Sequence, residues 1–240
     1  MNYAIILSGG IGSRMRTDGF PKQYIEVKGK PILIYTLEIF DRCSSVDKII
    51  IVADSLWYEE IKSWLNDYNL NKKFISFATP GLSRQGSILN GLLCCVDSSD
   101  DISRDNVIIH DAVRPCVNSK LIDQCFIALD EYEGCMPVLS VTDTTYYSDD
   151  GKHIFDLLNR DKLFAGQSPE AFKLKPYYEA NIEATAEEIL NIRGSTEIAY
   201  KHGLNVCLIP GDYGNFKITM PTDLDRFKTV LEDKNESIST

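Results

Sequence analysis

Through the first 140 residues, short runs of β-branched and other apolar residues alternate with segments whose apolar positions recur at helical spacing. That alternation points to β-α-β units closing on a mainly parallel sheet. Strands are predicted over residues 3–8, 47–53, 74–77, 106–110 and 135–141. Between them, a helix over 31–40 starts on Pro31, which suits a first turn, and keeps Ile32, Leu33, Leu37 and Phe40 on one side. Further helices are predicted over 56–68 and from Ser87, the latter carrying Ile88, Leu89, Leu92, Leu93 and Val96. Another is capped by Asn118 or Ser119 and carries Leu121, Ile122, Cys125, Phe126 and Leu129.

The pattern then changes. Extended segments over 144–148 and 153–158 flank Asp149-Asp150-Gly151, a hairpin signal with Asp-Gly in the turn. A hairpin interrupts a parallel sheet, so it is expected to project as an arm. Helical segments near 175–190 and 196–202 and a strand at 205–209 rebuild the main body. Thr222, with Asp225 three residues on, opens a last helix, and the polar stretch from Asp233 is expected to fray. The expected architecture is α/β: a Rossmann-like three-layer αβα sandwich with a mainly parallel central sheet and a projecting β-hairpin arm. Without an internal repeat or linker, one domain is expected over 1–240, with the arm at about 142–165.

Composition bounds the function. The formal charge of −10 and a pI near 4.8 oppose loose binding to nucleic acid or to an anionic membrane, because both need a positive surface field. A polyanionic small ligand would need the 25 basic residues concentrated locally. No apolar stretch approaches the roughly 20 residues of a membrane span. The opening Met1-Asn2-Tyr3-Ala4-Ile5-Ile6-Leu7 runs into glycines with no basic leader, so a cytoplasmic location is expected. Seven cysteines without a Cys-x-x-Cys spacing, and three histidines without a His-Glu-x-x-His spacing, point to neither a disulfide framework nor a zinc site.

Chemistry concentrates in a few places. Ser8-Gly9-Gly10-Ile11-Gly12-Ser13-Arg14, followed by Pro21-Lys22-Gln23, sets glycines and then two cations directly after a buried strand. Backbone N–H groups of such a loop can approach an anion while Arg14 and Lys22 supply charge. The loop lacks the Gly-Lys-Ser/Thr ending of a P-loop and the third glycine of the dinucleotide fingerprint. His110-Asp111-Ala112-Val113-Arg114-Pro115 ends a strand with a carboxylate and a cation, where open α/β sheets collect ligands. Asp111 suits a metal, a substrate hydroxyl or a local pair with Arg114; His110 reads as a packed histidine. Gly81 to Ser87 precedes a helix whose first amides and Ser87 hydroxyl suit a polar ligand edge. Lys217 sits alone in an extended apolar setting, open to a site role or a paired structural one.

Taken in order, Ser8-Gly9-Gly10-x-Gly12-x-Arg14-Met15, Pro21-Lys22-Gln23-Tyr24, Arg84-x-x-Ser87, His110-Asp111-Ala112-x-Arg114-Pro115, Asp143-Thr144, Asn159-Arg160, Gln167-Ser168-Pro169 and Lys217-Ile218-Thr219 resemble the cytidylyltransferases that act on polyol phosphates. That family includes the methylerythritol-phosphate and ribitol-phosphate enzymes. The resemblance spans residues 3 to about 231. It implies CTP as donor, held by Ser8, Gly9, Gly10, Gly12, Gly81, Arg84, Ser87 and Ala112, with Arg14, Lys22 and Lys217 on the reacting phosphates. It implies an acceptor polyol phosphate against Asp111, Arg114, Thr144 and Ser168, with Arg160 reaching in from the arm of a second subunit, so a homodimer. Mg2+ is the implied cofactor, with no dedicated protein metal ligand assigned.

Departures bear on the acceptor. Ser8 replaces a small apolar residue common in the methylerythritol-phosphate branch, Ser168 replaces a threonine, and Glu170 stands where glutamine usually follows the proline. Residues 193–197 lack the family's Thr-Asp pair. The stretches 159–169 and 211–215 look more like the ribitol-phosphate branch, which makes a ribitol 5-phosphate-like acceptor the first expectation and methylerythritol phosphate the second. A catalytically silent CTP-binding module and a dinucleotide oxidoreductase are the competing classes. Retention of Arg14, Lys22 and Lys217 opposes the first, and the glycine spacing opposes the second.

Overall fold

The computed structural model describes residues 1–10 and 20–236. In chain order the elements are β1 (Asn2–Leu7), β2 (Glu26–Val27), β3 (Lys30–Pro31), α1 (Ile32–Arg42), β4 (Lys48–Val52), α2 (Tyr58–Asp67), β5 (Phe74–Ala78) and α3 (Arg84–Asp97). Then come β6 (Asn106–Asp111), α4 (Ser119–Ala128), β7 (Gly134–Ser140), β8 (Thr145–Tyr147), β9 (Asp156–Leu158), β10 (Phe164–Gly166) and β11 (Glu170–Lys173). The chain closes with α5 (Leu174–Glu183), α6 (Ala186–Asn191), α7 (Ser195–Lys201), β12 (Val206–Pro210) and α8 (Pro221–Glu236).

An eight-stranded sheet runs in the order β10-β7-β11-β6-β1-β4-β5, with β12 added on β7. β1, β4, β5 and β6 pair in parallel, as does β12 on β7, while β10 and β11 are antiparallel. Side chains of successive strand residues point to opposite faces, and the sheet uses both. Ala4, Ile6, Ile49, Ile51 and Ile108 pack under α1, α2 and α4 with Leu33, Leu37, Phe40, Ile61 and Ile122. Tyr3, Ile5, Ile50, Val52, Val107 and Ile109 pack on the other face with Ile88, Leu92, Tyr177 and Ile198 of α3, α5 and α7. Each of these large side chains contributes about 1.5–3 kcal/mol on burial, so the three layers follow from the strand pattern itself. A smaller cluster of Val27, Ile32, Val113, Ile218 and Phe227 seats α8 beside the ends of the strands.

Several boundaries differ from expectation. α3 starts at Arg84 rather than Ser87, because the Ser83 hydroxyl accepts from the Gly86 amide at 3.0 Å and caps the helix a turn earlier. The stretch 175–190 is two helices, broken at Ala184–Thr185, where Thr185 and Glu188 form a capping box. Asn118, not Ser119, caps α4. α8 opens at Pro221, and Asp223 rather than Asp225 accepts from the amides of Thr219 and Met220; the helix runs to Glu236, and the rest of the polar stretch expected to fray lies outside the described residues. β11 was not foreseen, since Glu170-Ala171-Phe172-Lys173 is too short for period alone to reveal. β9 begins at Asp156 rather than near 153, leaving a longer turn that includes Gly151 at φ +68°. β8 and β9 form their own two-stranded sheet, the hairpin of the arm. All seven cysteines are free thiols, and no helix among the described residues is long and apolar enough to cross a membrane.

Candidate active site

β1 lies between β4 and β6, with Leu7 in register with Val52 on one side and Asp111 on the other. All three stand at the carboxyl ends of parallel strands, where the loops after them enclose a cavity of about 520 Å3. Gly9 and Gly10, Lys22, Gly81, Arg84, Ser87, Asp111 and Lys217 all line it. Two of the glycines are there for want of room. A Cβ on Gly9 would lie 2.5 Å from Pro80 Cγ, and one on Gly81 would lie 2.4 Å from the carbonyl carbon of Gly86. The loop after β1 therefore presses on the loop after β5, and that loop presses on the first turn of α3.

Ser87 tightens the same contact: its hydroxyl accepts from the Gly81 amide and donates to the Ser83 carbonyl, both at 3.0 Å. Gln23, singled out only as part of a motif, proves to hold the glycine loop. Its Nε2 donates to the carbonyls of Ser8 at 2.5 Å and Gly10 at 3.0 Å. Lys22 sits on the short 3-10 turn Lys22–Tyr24, is 9% exposed, and donates to the Ile218 carbonyl at 2.8 Å. Ile218 is itself buried, and its amide donates to the Val113 carbonyl at 2.9 Å. Two lysines far apart in sequence are thus carried into one cavity by a shared strip of backbone.

Asp111 is the electrostatic centre. One oxygen lies 2.9 Å from Lys217 Nζ and 3.6 Å from Arg114 Nε, and the other lies 3.4 Å from Arg84. Burial opposes its ionisation, but Arg84, Lys217 and Arg114 outweigh that and hold its carboxyl well below the usual carboxylate range. Arg84 is likewise desolvated, yet Asp111 and Glu170 raise its pKa. His110 is fully buried, and burial pushes its pKa down to about 3 despite Asp111 nearby. It is a neutral ring held by the Arg114 carbonyl at 3.2 Å and the Ser168 hydroxyl at 3.3 Å, the packed histidine anticipated. Among the described residues, Lys22, Arg84, Arg114 and Lys217 face two carboxylates, Asp111 and Glu170. A chain of charge −10 therefore concentrates positive charge at one place.

The remaining expected residues fall into four groups. Ser8 and Ala112 do not line the cavity, and their amides are engaged: the Ser8 amide donates to the Val52 carbonyl at 2.8 Å, and the Ala112 amide donates to the Leu7 carbonyl at 3.0 Å. Arg114 and Ser168 form a second row behind Asp111. The Ser168 hydroxyl accepts from the Asp111 amide at 3.2 Å, and Arg114 donates to the Asn215 carbonyl at 2.7 Å. Thr144 and Arg160 are exposed on the arm, where Arg160 donates to the Thr142 carbonyl at 2.9 Å, and neither lines this cavity. Gly12 and Arg14 lie outside the described residues.

Asn215 and Glu170 were not assigned a role from sequence. Asn215 is fully buried and ties Ser168 to the Lys217 strip through a 2.7 Å bond to the Ser168 carbonyl. Glu170 accepts from the hydroxyls of Ser195 and Thr196 and pairs with Arg84 at 3.4 Å. Its signal in the sequence was its departure from the family glutamine.

A cavity at the carboxyl ends of parallel strands, walled by glycine loops and lined by converging cations, defines a nucleotidyltransferase of the α/β class. The chain belongs to the 2-C-methyl-D-erythritol 4-phosphate cytidylyltransferase family, whose model matches residues 2–233. It is 29% identical to the ribitol-5-phosphate cytidylyltransferase of Streptococcus agalactiae serotype III (strain NEM316), over 99% of each chain. The 4-diphosphocytidyl-2C-methyl-D-erythritol synthase of Anaerococcus prevotii DSM 20548 superposes with a TM-score of 0.80 at 25% identity, over 96% of each chain. The 2-C-methyl-D-erythritol 4-phosphate cytidylyltransferase of Thermus thermophilus shares the fold, with a TM-score of 0.74 at 22% identity over 96% of this chain and 98% of that one.

Proposed function

We propose that this enzyme transfers CMP from CTP to a polyol phosphate, with ribitol 5-phosphate as the acceptor, giving a CDP-polyol and pyrophosphate. The observation that carries the reading is the cluster of Arg84, Arg114 and Lys217 around Asp111, with Lys22 on the same cavity wall, in an otherwise acidic chain. The full-length likeness to a ribitol-5-phosphate cytidylyltransferase supports the acceptor.

An acceptor phosphate monoester has a second pKa near 6, so at neutral pH it is already mostly a dianionic nucleophile. Its oxygen forms the new bond to the α-phosphorus of CTP while the bond from that phosphorus to the bridging oxygen breaks, and pyrophosphate leaves opposite. The protein needs no general base for this, consistent with a neutral His110 and a firmly ionised Asp111. Its work is alignment of two polyanions and stabilisation of charge on the transferring group. In this reading Lys22 and Lys217, with Arg14, face the reacting phosphates, and the Gly9–Gly10, Gly81 and Ser87 loops hold the nucleotide. Asp111 accepts from an acceptor hydroxyl, Arg114 and Ser168 support it, and Arg84, paired with Asp111 and Glu170, acts on the acceptor side rather than on the nucleotide.

Mg2+ is the divalent cation the reading calls for. Asp111 is the single carboxylate on the cavity lining among the described residues, and three cations surround it. That donor set fits an ion held mainly by triphosphate oxygens and water. Bound there, Mg2+ would neutralise triphosphate charge.

The arm completes the reading. Tyr146, Tyr147, Ile154, Phe155, Leu157 and Phe164 are all between 45% and 73% exposed. Apolar exposure on that scale supports pairing with a second copy, which would carry Thr144 and Arg160 to the partner's cavity. A cytoplasmic location suits substrates of this kind.

The test is pyrophosphate release with Mg2+, crossing CTP, UTP, ATP and GTP with ribitol 5-phosphate, methylerythritol 4-phosphate and other polyol phosphates. Release with CTP and ribitol 5-phosphate alone is the expected result. Release with methylerythritol 4-phosphate instead would favour the second acceptor, after which the family model is named. CTP binding with no release from any acceptor would sink the assignment in favour of a silent module.

A further inference from the structure

Glu170 is the first residue of β11, the antiparallel strand that runs beside β6 with Glu170 opposite Ile109. The reversed strand brings its first residue to the carboxyl end of β6, two positions short of Asp111. There the Glu170 carboxylate is 7% exposed and does not line the cavity. One of its oxygens accepts from the hydroxyls of Ser195 and Thr196, the latter at 2.9 Å. The other lies 3.4 Å from Arg84, which is also 3.4 Å from Asp111 and donates to Ser195 at 2.7 Å. Arg84 does line the cavity.

One guanidinium is therefore shared evenly between two carboxylates, with a hydroxyl holding it from a third direction. At 3.4 Å the contact from Arg84 to Asp111 is longer than a charge-assisted hydrogen bond, which closes to about 2.7–2.9 Å when nothing competes. The competitor is Glu170. By drawing Arg84 away, it leaves that oxygen of Asp111 with acceptor capacity toward the cavity. A glutamine at 170 has the same shape but no charge, and its amide nitrogen cannot accept from Arg84 or the two hydroxyls.

We propose that Glu170 is a positioning residue that holds Arg84 off Asp111, and that it thereby sets the affinity for the acceptor polyol rather than for CTP. The inference rests on the proposed function in taking Asp111 as the group that accepts from an acceptor hydroxyl. Without Glu170, Arg84 closes on Asp111 and occupies the oxygen the polyol would use.

The test is a cycle of wild type, Glu170→Gln, Arg84→Gln and the double variant, measured as pyrophosphate release while CTP and ribitol 5-phosphate are varied in turn. Glu170→Gln is expected to raise KM for ribitol 5-phosphate about five-fold or more, the scale of one hydrogen bond, and to leave KM for CTP within about two-fold. In the Arg84→Gln background the same substitution should change the acceptor KM no further, because the residue through which it acts is gone. An unchanged acceptor KM, equal shifts for both substrates, or effects that simply add would each overturn the inference; a purely structural role predicts the last two. If wild type releases no pyrophosphate, it is the functional reading that fails. The cycle is then read on the calorimetric Kd for ribitol 5-phosphate with CTP present, with the same expected pattern and the same overturning outcomes.

Discussion

Lys22 combines a nearly buried stem with a hydrogen bond to the backbone beside Lys217, so its ammonium reaches the cavity from a fixed anchor. Fixed charge needs no reorganisation when the transferring phosphoryl group forms. Lys22→Ala is expected to lower kcat by about 10²–10³, the range for losing one preorganised donor, while the stability change stays near 1 kcal/mol. Stopped-flow turnover beside a urea titration checks both, and wild-type turnover would remove Lys22 from the reacting centre.

His110 makes a different prediction, about pH. Above pH 6.5 the ring is neutral in both the folded and the unfolded chain. Below it, the unfolded chain takes up a proton that the folded chain refuses until about pH 3. Stability therefore falls as pH falls through that window, at a slope approaching about 1.4 kcal/mol per unit from this group. Between pH 6.5 and 5.0, wild type should lose on the order of 1–2 kcal/mol more than His110→Gln. Urea midpoints at the two pH values measure it, and parallel losses would show that His110 is not the group responsible.

At the scale of elements, the site depends on how closely two loops approach the start of α3. Gly81 has no space for a side chain, since the atoms it would meet are backbone atoms of Gly86 and Ser87. Gly81→Ala must push the loop off the helix, with a cost of about 1–3 kcal/mol and a weakened CTP site. A lowered Tm with raised CTP Kd is the expected pair of results, and unchanged values for both would show that the contact relaxes freely.

The same element explains why some boundaries escaped the sequence. Ser83 as a cap competes with Ser87 on local grounds, and only the Ser83 hydroxyl's further bond to the Ile189 carbonyl at 2.6 Å, made by the folded chain, ties the loop down. In 175–190 the apolar period continues across Thr185, so periodicity alone hides the break that the capping box makes.

For the whole molecule, the arm gathers several exposed apolar side chains on one short hairpin. Its aromatic and aliphatic side chains face outward, and two residues expected at the acceptor site lie on it, away from this chain's own cavity. Ile154→Asp with Phe155→Asp should convert a dimer to a monomer in analytical ultracentrifugation. The acceptor KM should rise as Thr144 and Arg160 are withdrawn. A dimer that survives both charges would place the interface elsewhere.

What the sequence determined by itself is the layered α/β body, because two-faced strands and one-faced helices dictate which surfaces must be buried. It also placed Gly9, Gly10 and Asp111 at the ends of β1 and β6, because that placement depends on residue type at or just after a strand. Tertiary structure alone decided that β11 runs backwards beside β6 and brings Glu170 to Arg84, that Gln23 holds the glycine loop, and that Lys22 and Lys217 meet through Ile218. These are contacts between residues 13 to nearly 200 positions apart, set by where packed layers leave their edges; no local preference encodes them.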